Sequence, residues 1–114
     1  MNAEQIIHAL GALAQEHRLA AFRLLVQAGP DGLAAGALSE ALAIPASSMS
    51  FHLAQLAHAG LVTQRRRSRS IIYSANYPTM NGLVGYLMEN CCGGATCAPD
   101  GGCEPGPANE RSAA

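Results

Sequence analysis

The sequence contains no tryptophan, and its aromatic residues stop at two phenylalanines and three tyrosines. A core must therefore be built from Leu, Ile, Val, Met and Ala. No stretch approaches the roughly 18 consecutive apolar residues that a membrane-crossing helix needs, so no membrane partner is expected. The opening run MNAEQIIHAL has an acid and no basic cluster before its short apolar stretch, unlike a secretory signal. The expected location is the cytoplasm, where clustered cysteines more often mean metal or redox chemistry than disulfide staples. Three further absences divide the chain. No Asp or Glu occurs from residue 41 to 88, no cysteine precedes residue 91, and beyond Cys92 there is no Leu, Ile, Val, Met, Phe or Tyr.

A length of 114 residues suits one domain with a modest core. The net charge of −1 conceals a segregation that matters more than the sum. Arg65, Arg66, Arg67 and Arg69 give the acid-free stretch a charge of +4, while three Arg against eight acids leave −5 elsewhere. Taken alone, such a run reads equally well as an arginine-rich solvated loop.

Apolar spacing predicts a helix over 4–15 (Ile6, Leu10, Leu13, with Ile7 and Ala14 widening the stripe) and another over 17–28 (Leu19, Phe22, Leu25, Val26). Gly29-Pro30-Asp31-Gly32 is a turn. A short helix over 35–43 stops at Ile44-Pro45, since a residue before proline avoids helical angles. A fourth helix over 46–59 aligns Met49, Leu53 and Leu56 and ends at Gly60. Two β-prone runs, 61–65 and 70–73, flank the arginines as a hairpin. Pro78 opens a last helix with Met80, Leu83, Val84, Leu87 and Met88 on one side, a stripe that Cys91 would continue. Residues 1–92 thus form the folded part. Residues 93–114, with five Gly and three Pro, bury too little to order themselves unless tied down.

Helix, short turn, helix, hairpin is the winged helix-turn-helix order, here mainly α with a small β-hairpin. The fourth helix is the candidate recognition helix. Ser47 and Ser48 at its start suit phosphates. Gln55 can read a base edge, and Phe51 lies on the wet face with no core to join. His52, beside the apolar stripe, reads as a packing or phosphate-contacting histidine. His8, His17 and His58 show no ligand spacing and read as mutually distant surface residues. The four arginines, placed at the hairpin tip, suit phosphates or a narrow minor groove of double-stranded DNA.

The stretches LAQEHRLAAFRLL and SSMSFHLAQLAHAGLVTQRRRSRSIIY resemble the ArsR/SmtB family of winged-helix metalloregulatory repressors, over roughly residues 3–92. Ser47, Ser50, His52 and Leu53 match that family's Ser-x-x-Ser-x-His-Leu recognition helix, which adds Ser50 to the DNA-facing set. Two departures stand out: Arg67-Ser68 replaces a common Glu-Gly at the wing tip, and Phe51 stands where polar residues are frequent. The resemblance implies a homodimer on a palindromic operator, released by an inducer. Two familiar sensing sites are absent, because the third helix has no cysteine and the last helix no histidine. What remains resembles the arsenic sensors with cysteines just past the last helix.

All four cysteines lie in ENCCGGATCAPDGGC, residues 89–103. Neighbours on a helix diverge by about 100°, so Cys91 and Cys92 share an ion most easily where the helix ends and Gly93-Gly94 permits a bend. Cys97 can fold back as third donor, with Cys103 as substitute or fourth. Three thiolates without nitrogen or carboxylate form a soft set, which suits As(III) or Sb(III) as inducer; methylated arsenicals stay open too, since two donors, Cys91 and Cys92, suffice for a monomethyl arsenical. Zinc or cadmium stays open but needs a fourth donor for a closed tetrahedron, and the spacing lacks paired Cys-x2-Cys knuckles. Thiol-redox or persulfide sensing also stays open. A thiol oxidoreductase is disfavoured, since Cys91 follows a helix C-terminus beside Glu89, electrostatically the wrong end for a reactive thiolate. No enzyme is expected.

Overall fold

The computed structural model describes residues 1–93 and, in backbone only, 97–98 and 102–103. In chain order the elements are α1 (Ala3–Leu13), α2 (Glu16–Ala28), β1 (Leu33–Ala34), α3 (Ala35–Leu42), α4 (Ala46–His58), β2 (Val62–Arg67), β3 (Ser70–Ala75) and α5 (Tyr77–Leu87). Strands pair antiparallel in the order β1-β3-β2. This is the expected winged helix-turn-helix, with one strand more than the sequence suggested. Strand β1 is two residues long and pairs Leu33 with Tyr73 and Ala34 with Ile72. So short a strand has no alternation to detect. The chain divides into compact units Met1–Leu83 and Val84–Ala114, whereas the sequence drew its boundary after residue 92.

Local chemistry explains the helix ends. Asn2 Oδ1 accepts from Gln5 N at 2.8 Å and Gln5 Oε1 accepts from Asn2 N at 2.8 Å, a reciprocal box that starts α1. Between α3 and α4, Ala43 takes a left-handed φ of 54° and Ile44 plugs into the core. Pro45 then opens α4 with no side-chain cap and no acid in the first turn. The turn after α2 needs glycine at Gly32, where φ is 72° and a Cβ would collide with the Tyr73 carbonyl oxygen.

The core draws Leu25, Leu38, Met49, Leu53, Leu56 and Leu61 fully out of water. Ile6, Ala9, Ala21, Phe22, Ile44, Val62, Ala75 and Leu83 complete it. The Met49, Leu53, Leu56 stripe is as expected. Burial of Leu10 and Leu19 is not: they are 40% and 45% exposed, and Ile7 is 69% exposed. Helix α1 turns Ile6 and Ala9 inward, so the other half of its broad apolar stripe has nothing to pack on among the described residues. Tyr77 OH donates to Val26 O at 2.9 Å, and Asn76 Nδ2 donates to Gly60 O at 3.1 Å, fastening the start of α5.

In the Val84–Ala114 unit, α5 ends at Leu87 and a 3-10 turn follows at Cys91–Gly93. Strands β4 (Cys97–Ala98) and β5 (Gly102–Cys103) pair antiparallel, with Cys97 opposite Cys103. A backbone ladder of this kind needs no apolar side chain, so composition gives no sign of it. Among the described residues, no helix is long and apolar enough to cross a membrane.

Candidate DNA interface and thiol site

Helix α4 carries two faces. Ser47, Ser48, Ser50 and Gln55 are exposed, and Phe51 is 58% exposed. With no capping side chain at Pro45, the first-turn N–H groups beside Ser47 and Ser48 stay open to an anion such as a DNA phosphate. Gln55 also lines a hollow of about 440 Å³ with Glu4, Ile7, His8, Gly11, Ala12 and Arg18.

His52 does not join the exposed face. It is 9% exposed, and its Nδ1 has no hydrogen-bond partner. Its ring lies 5.6 Å from that of His17. Burial holds its pKa below the ordinary 6.5, and the charges of Arg18 and His17 push the same way. The packing half of its expected role is what the fold shows; a phosphate contact needs exposure that it lacks. The remaining histidines are not mutually distant either. His8 of α1 meets His58 of α4 edge to face, centroids 5.5 Å apart. Sequence distance hid both pairs because helix packing creates them.

The arginines do not all occupy the tip. Arg65, Arg66 and Arg67 belong to β2 and pair with Ile72, Ile71 and Ser70, leaving Ser68-Arg69 as the turn, with Ser68 at φ 58°. Strand alternation therefore puts Arg65 and Arg67 on one face and Arg66 on the other. Arg65 turns back on the protein. Its Nη1 donates to Ser74 Oγ at 3.2 Å and Pro30 O at 3.4 Å, and its Nη2 donates to Asp31 O at 3.0 Å. Ser74, 7% exposed, donates in turn to Pro30 O at 3.1 Å. Arg66, Arg67 and Arg69 are exposed, and their side chains make no hydrogen bond or ion pair among the described residues. Ile71, 42% exposed and paired with Arg66, adds an apolar element to the wing that the sequence reading left out.

At the thiol site the expected bend is present, but it starts earlier than Gly93-Gly94. Asn90, Cys92 and Gly93 all have left-handed φ, at 58°, 56° and 72°. The helical turn is closed by Cys91 N donating to Met88 O at 2.9 Å and Gly93 N to Asn90 O at 3.1 Å. Reversal of the backbone at Cys92 brings the sulfurs of Cys91 and Cys92 to 3.6 Å. A tetrahedral zinc dithiolate with bonds of about 2.3 Å spans roughly 3.8 Å between sulfurs. A pyramidal centre with narrower angles draws them closer, so the pair fits a soft ion of either kind. Cys92 is exposed and free; Cys91 is disulfide-bonded in this state. The side chains of Cys97 and Cys103 lie outside the described residues. Among the described residues, no three His, Cys, Asp or Glu side chains form a metal-binding group.

Residues 13–65 match the family model described as a helix-turn-helix domain. The chain is 31% identical over 91 residues to the HTH-type transcriptional regulator YgaV of Escherichia coli K12, covering 80% of this chain and 90% of that protein. It is 29% identical over 91 residues to the transcriptional activator HlyU of Vibrio cholerae, covering 80% and 82%. The solved V. cholerae HlyU structure superposes with a TM-score of 0.64 at 28% identity, covering 80% of this chain and 96% of that chain. A homodimeric winged helix-turn-helix DNA-binding domain from Mycobacterium bovis, Mb0332, a possible ArsR-family regulator, gives 0.61 at 26% identity, covering 76% and 81%.

Proposed function

The chain belongs to the ArsR/SmtB family of winged helix-turn-helix transcriptional regulators, and we propose that it is a repressor that leaves its operator when As(III) occupies its cysteines. The observation that carries this reading is the pair of sulfurs 3.6 Å apart, held by a left-handed Cys92 just past the last helix. Cys91 and Cys92 supply two thiolates, and Cys97 or Cys103 the third. An all-sulfur set favours As(III) or Sb(III) over harder ions. The ligand set requires the Cys91 disulfide to be reduced first.

The DNA-facing side consists of Ser47, Ser48, Ser50, Phe51 and Gln55 on α4 with Arg66, Arg67 and Arg69 on the wing. A homodimer presents two such surfaces to a palindromic site. The exposed Ile7 and Leu10 of α1, and Val84 and Leu87 of α5, are apolar surface that a second copy would cover. Drawing the two cysteines into a three-thiolate geometry reshapes the end of α5. A change there of dimer geometry is enough to release DNA, with a coupling of about 1–3 kcal/mol.

Fluorescence anisotropy tests this under reducing conditions, with a labelled duplex selected from a random pool by the protein itself. Arsenite releases the wild type, and the Cys91→Ser, Cys92→Ser double variant stays bound. Release of that variant by arsenite contradicts the reading. Antimonite, zinc and cadmium arms rank the ions. A second reading, thiol-redox sensing, is favoured by the Cys91 disulfide next to a free thiol. It predicts release by a disulfide oxidant alone, with no metalloid.

A further inference from the structure

We infer that Arg65 is a positioning residue for the wing, clamping the β2–β3 hairpin onto the turn after α2, and not a phosphate contact. Three observations meet here. Three of its five N–H donors, on the two terminal nitrogens, go to two backbone carbonyls and the Ser74 hydroxyl, all on one side of the sheet. The Ser74 hydroxyl relays the clamp by donating to the same Pro30 carbonyl from a buried position. The turn that receives it is closed and packed on the sheet: Gly32 N donates to Gly29 O at 3.0 Å, and the left-handed Gly32 lies against β3 too closely to accept a side chain.

The consequence for DNA binding is geometric. Helix α2, which leads into this turn, packs on the recognition helix α4. Arg65 therefore ties the wing to the scaffold that holds α4, and so sets where Arg66, Arg67 and Arg69 stand relative to Ser47, Ser48 and Phe51. A planar fork holds its donors in fixed directions toward the hydroxyl and the two carbonyls. A lysine keeps the charge but, as a single ammonium on a flexible stem, loses that fixed geometry. Charge and clamp can thus be separated by experiment. The inference rests on DNA binding alone, so a failed arsenite response leaves it standing.

The test uses the full chain and the selected duplex, with affinity measured across a series of salt concentrations at a temperature where circular dichroism shows every variant folded. A phosphate contact contributes about one unit to the slope of log Kd against log salt, and a positioning residue contributes none. Arg65→Gln and Arg65→Lys both weaken binding roughly ten-fold with the wild-type slope retained. Ser74→Ala weakens it by a smaller factor, again with the slope retained. Arg66→Gln, the comparison, lowers the slope by about one. If Arg65→Gln fails to fold, Arg65→Lys and Ser74→Ala carry the test. A slope lowered by about one in Arg65→Gln, or wild-type affinity in folded Arg65→Lys, overturns the assignment.

Discussion

Up to Leu83 the molecule is organised around side chains with no contact with water; from Val84 to Gly93 not one described side chain is buried. The DNA-reading surface is thus specified by packing. Met49, Leu53 and Leu56 hold one face of α4 so that Ser47, Phe51 and Gln55 must occupy the other. The thiols are specified by backbone conformation, through left-handed angles at Asn90 and Cys92 and two turn hydrogen bonds. A region held by packing resists change, since losing the contacts of a single buried leucine already costs several kcal/mol. A region held by turns rearranges at less cost once the Cys91 disulfide is reduced. Sensing at the second kind of region and reading with the first is the division that the proposed function requires.

The comparison can be broken by mutation, and the largest effect is expected in the core. Leu53→Ala should destabilise the fold by about 2–5 kcal/mol in urea denaturation. Leu87→Ala, at a position 60% exposed, should change monomer stability by under about 0.5 kcal/mol and instead weaken self-association in sedimentation velocity. Equal losses in the two variants would erase the contrast between the regions.

Next in size is a reading variant. Phe51→Ala should leave thermal stability nearly unchanged, because the ring is solvent-facing, and lower affinity for the selected duplex by about 1–2 kcal/mol. An unaltered Kd would remove Phe51 from the interface.

His52 supplies a pH test of the packed region. Its folded pKa lies below the ordinary 6.5, so the fold prefers the neutral ring and the unfolded chain takes up the proton first. Its share of stability is complete above that unfolded value and is lost as pH falls through the folded value. Wild-type stability should therefore decline on acidification below the ordinary 6.5, and His52→Gln should flatten that decline. The same slope in both proteins would assign the effect to other groups.

The smallest effect comes from the helix-turn-helix bend. Ala43 takes a left-handed φ of 54°, which costs a non-glycine residue about 1–2 kcal/mol. Ala43→Gly should return somewhat less than about 1 kcal/mol in melting experiments, because glycine also loosens the unfolded chain. A lower Tm would mean that the Ala43 methyl contributes packing the bend needs.

The periodic parts of this fold were legible in the sequence. The α4 stripe follows the 3.6-residue repeat, and α2, α3 and α4 end within about two positions of the turn residues that follow them, whereas α5 stops at Leu87 and does not carry its stripe on to Cys91. What could not be read depends on partners distant in the chain. Arg65 looks like its neighbours until the carbonyls of Pro30 and Asp31, more than 30 positions away, are placed beside it. The His8–His58 and His17–His52 pairs arise only once α1 and α2 pack on α4. The outward turn of Leu19 likewise reflects which half of a helix finds a neighbour. For the thiols, adjacency and the following glycines announced a bend; Asn90, a residue type that tolerates left-handed angles, was a signal that could have placed its start, whereas nothing in the residue type announced Cys92.

The most direct measurement is the arsenic X-ray absorption spectrum of the reduced, arsenite-loaded full chain. Arsenic bonded to three sulfurs, with at least one sulfur lost in the Cys91→Ser, Cys92→Ser double variant, which keeps only Cys97 and Cys103, is the result expected from the vicinal pair and its partner in the tail. Arsenic still bonded only to oxygen in the wild type, or three sulfurs retained in the double variant, would contradict it.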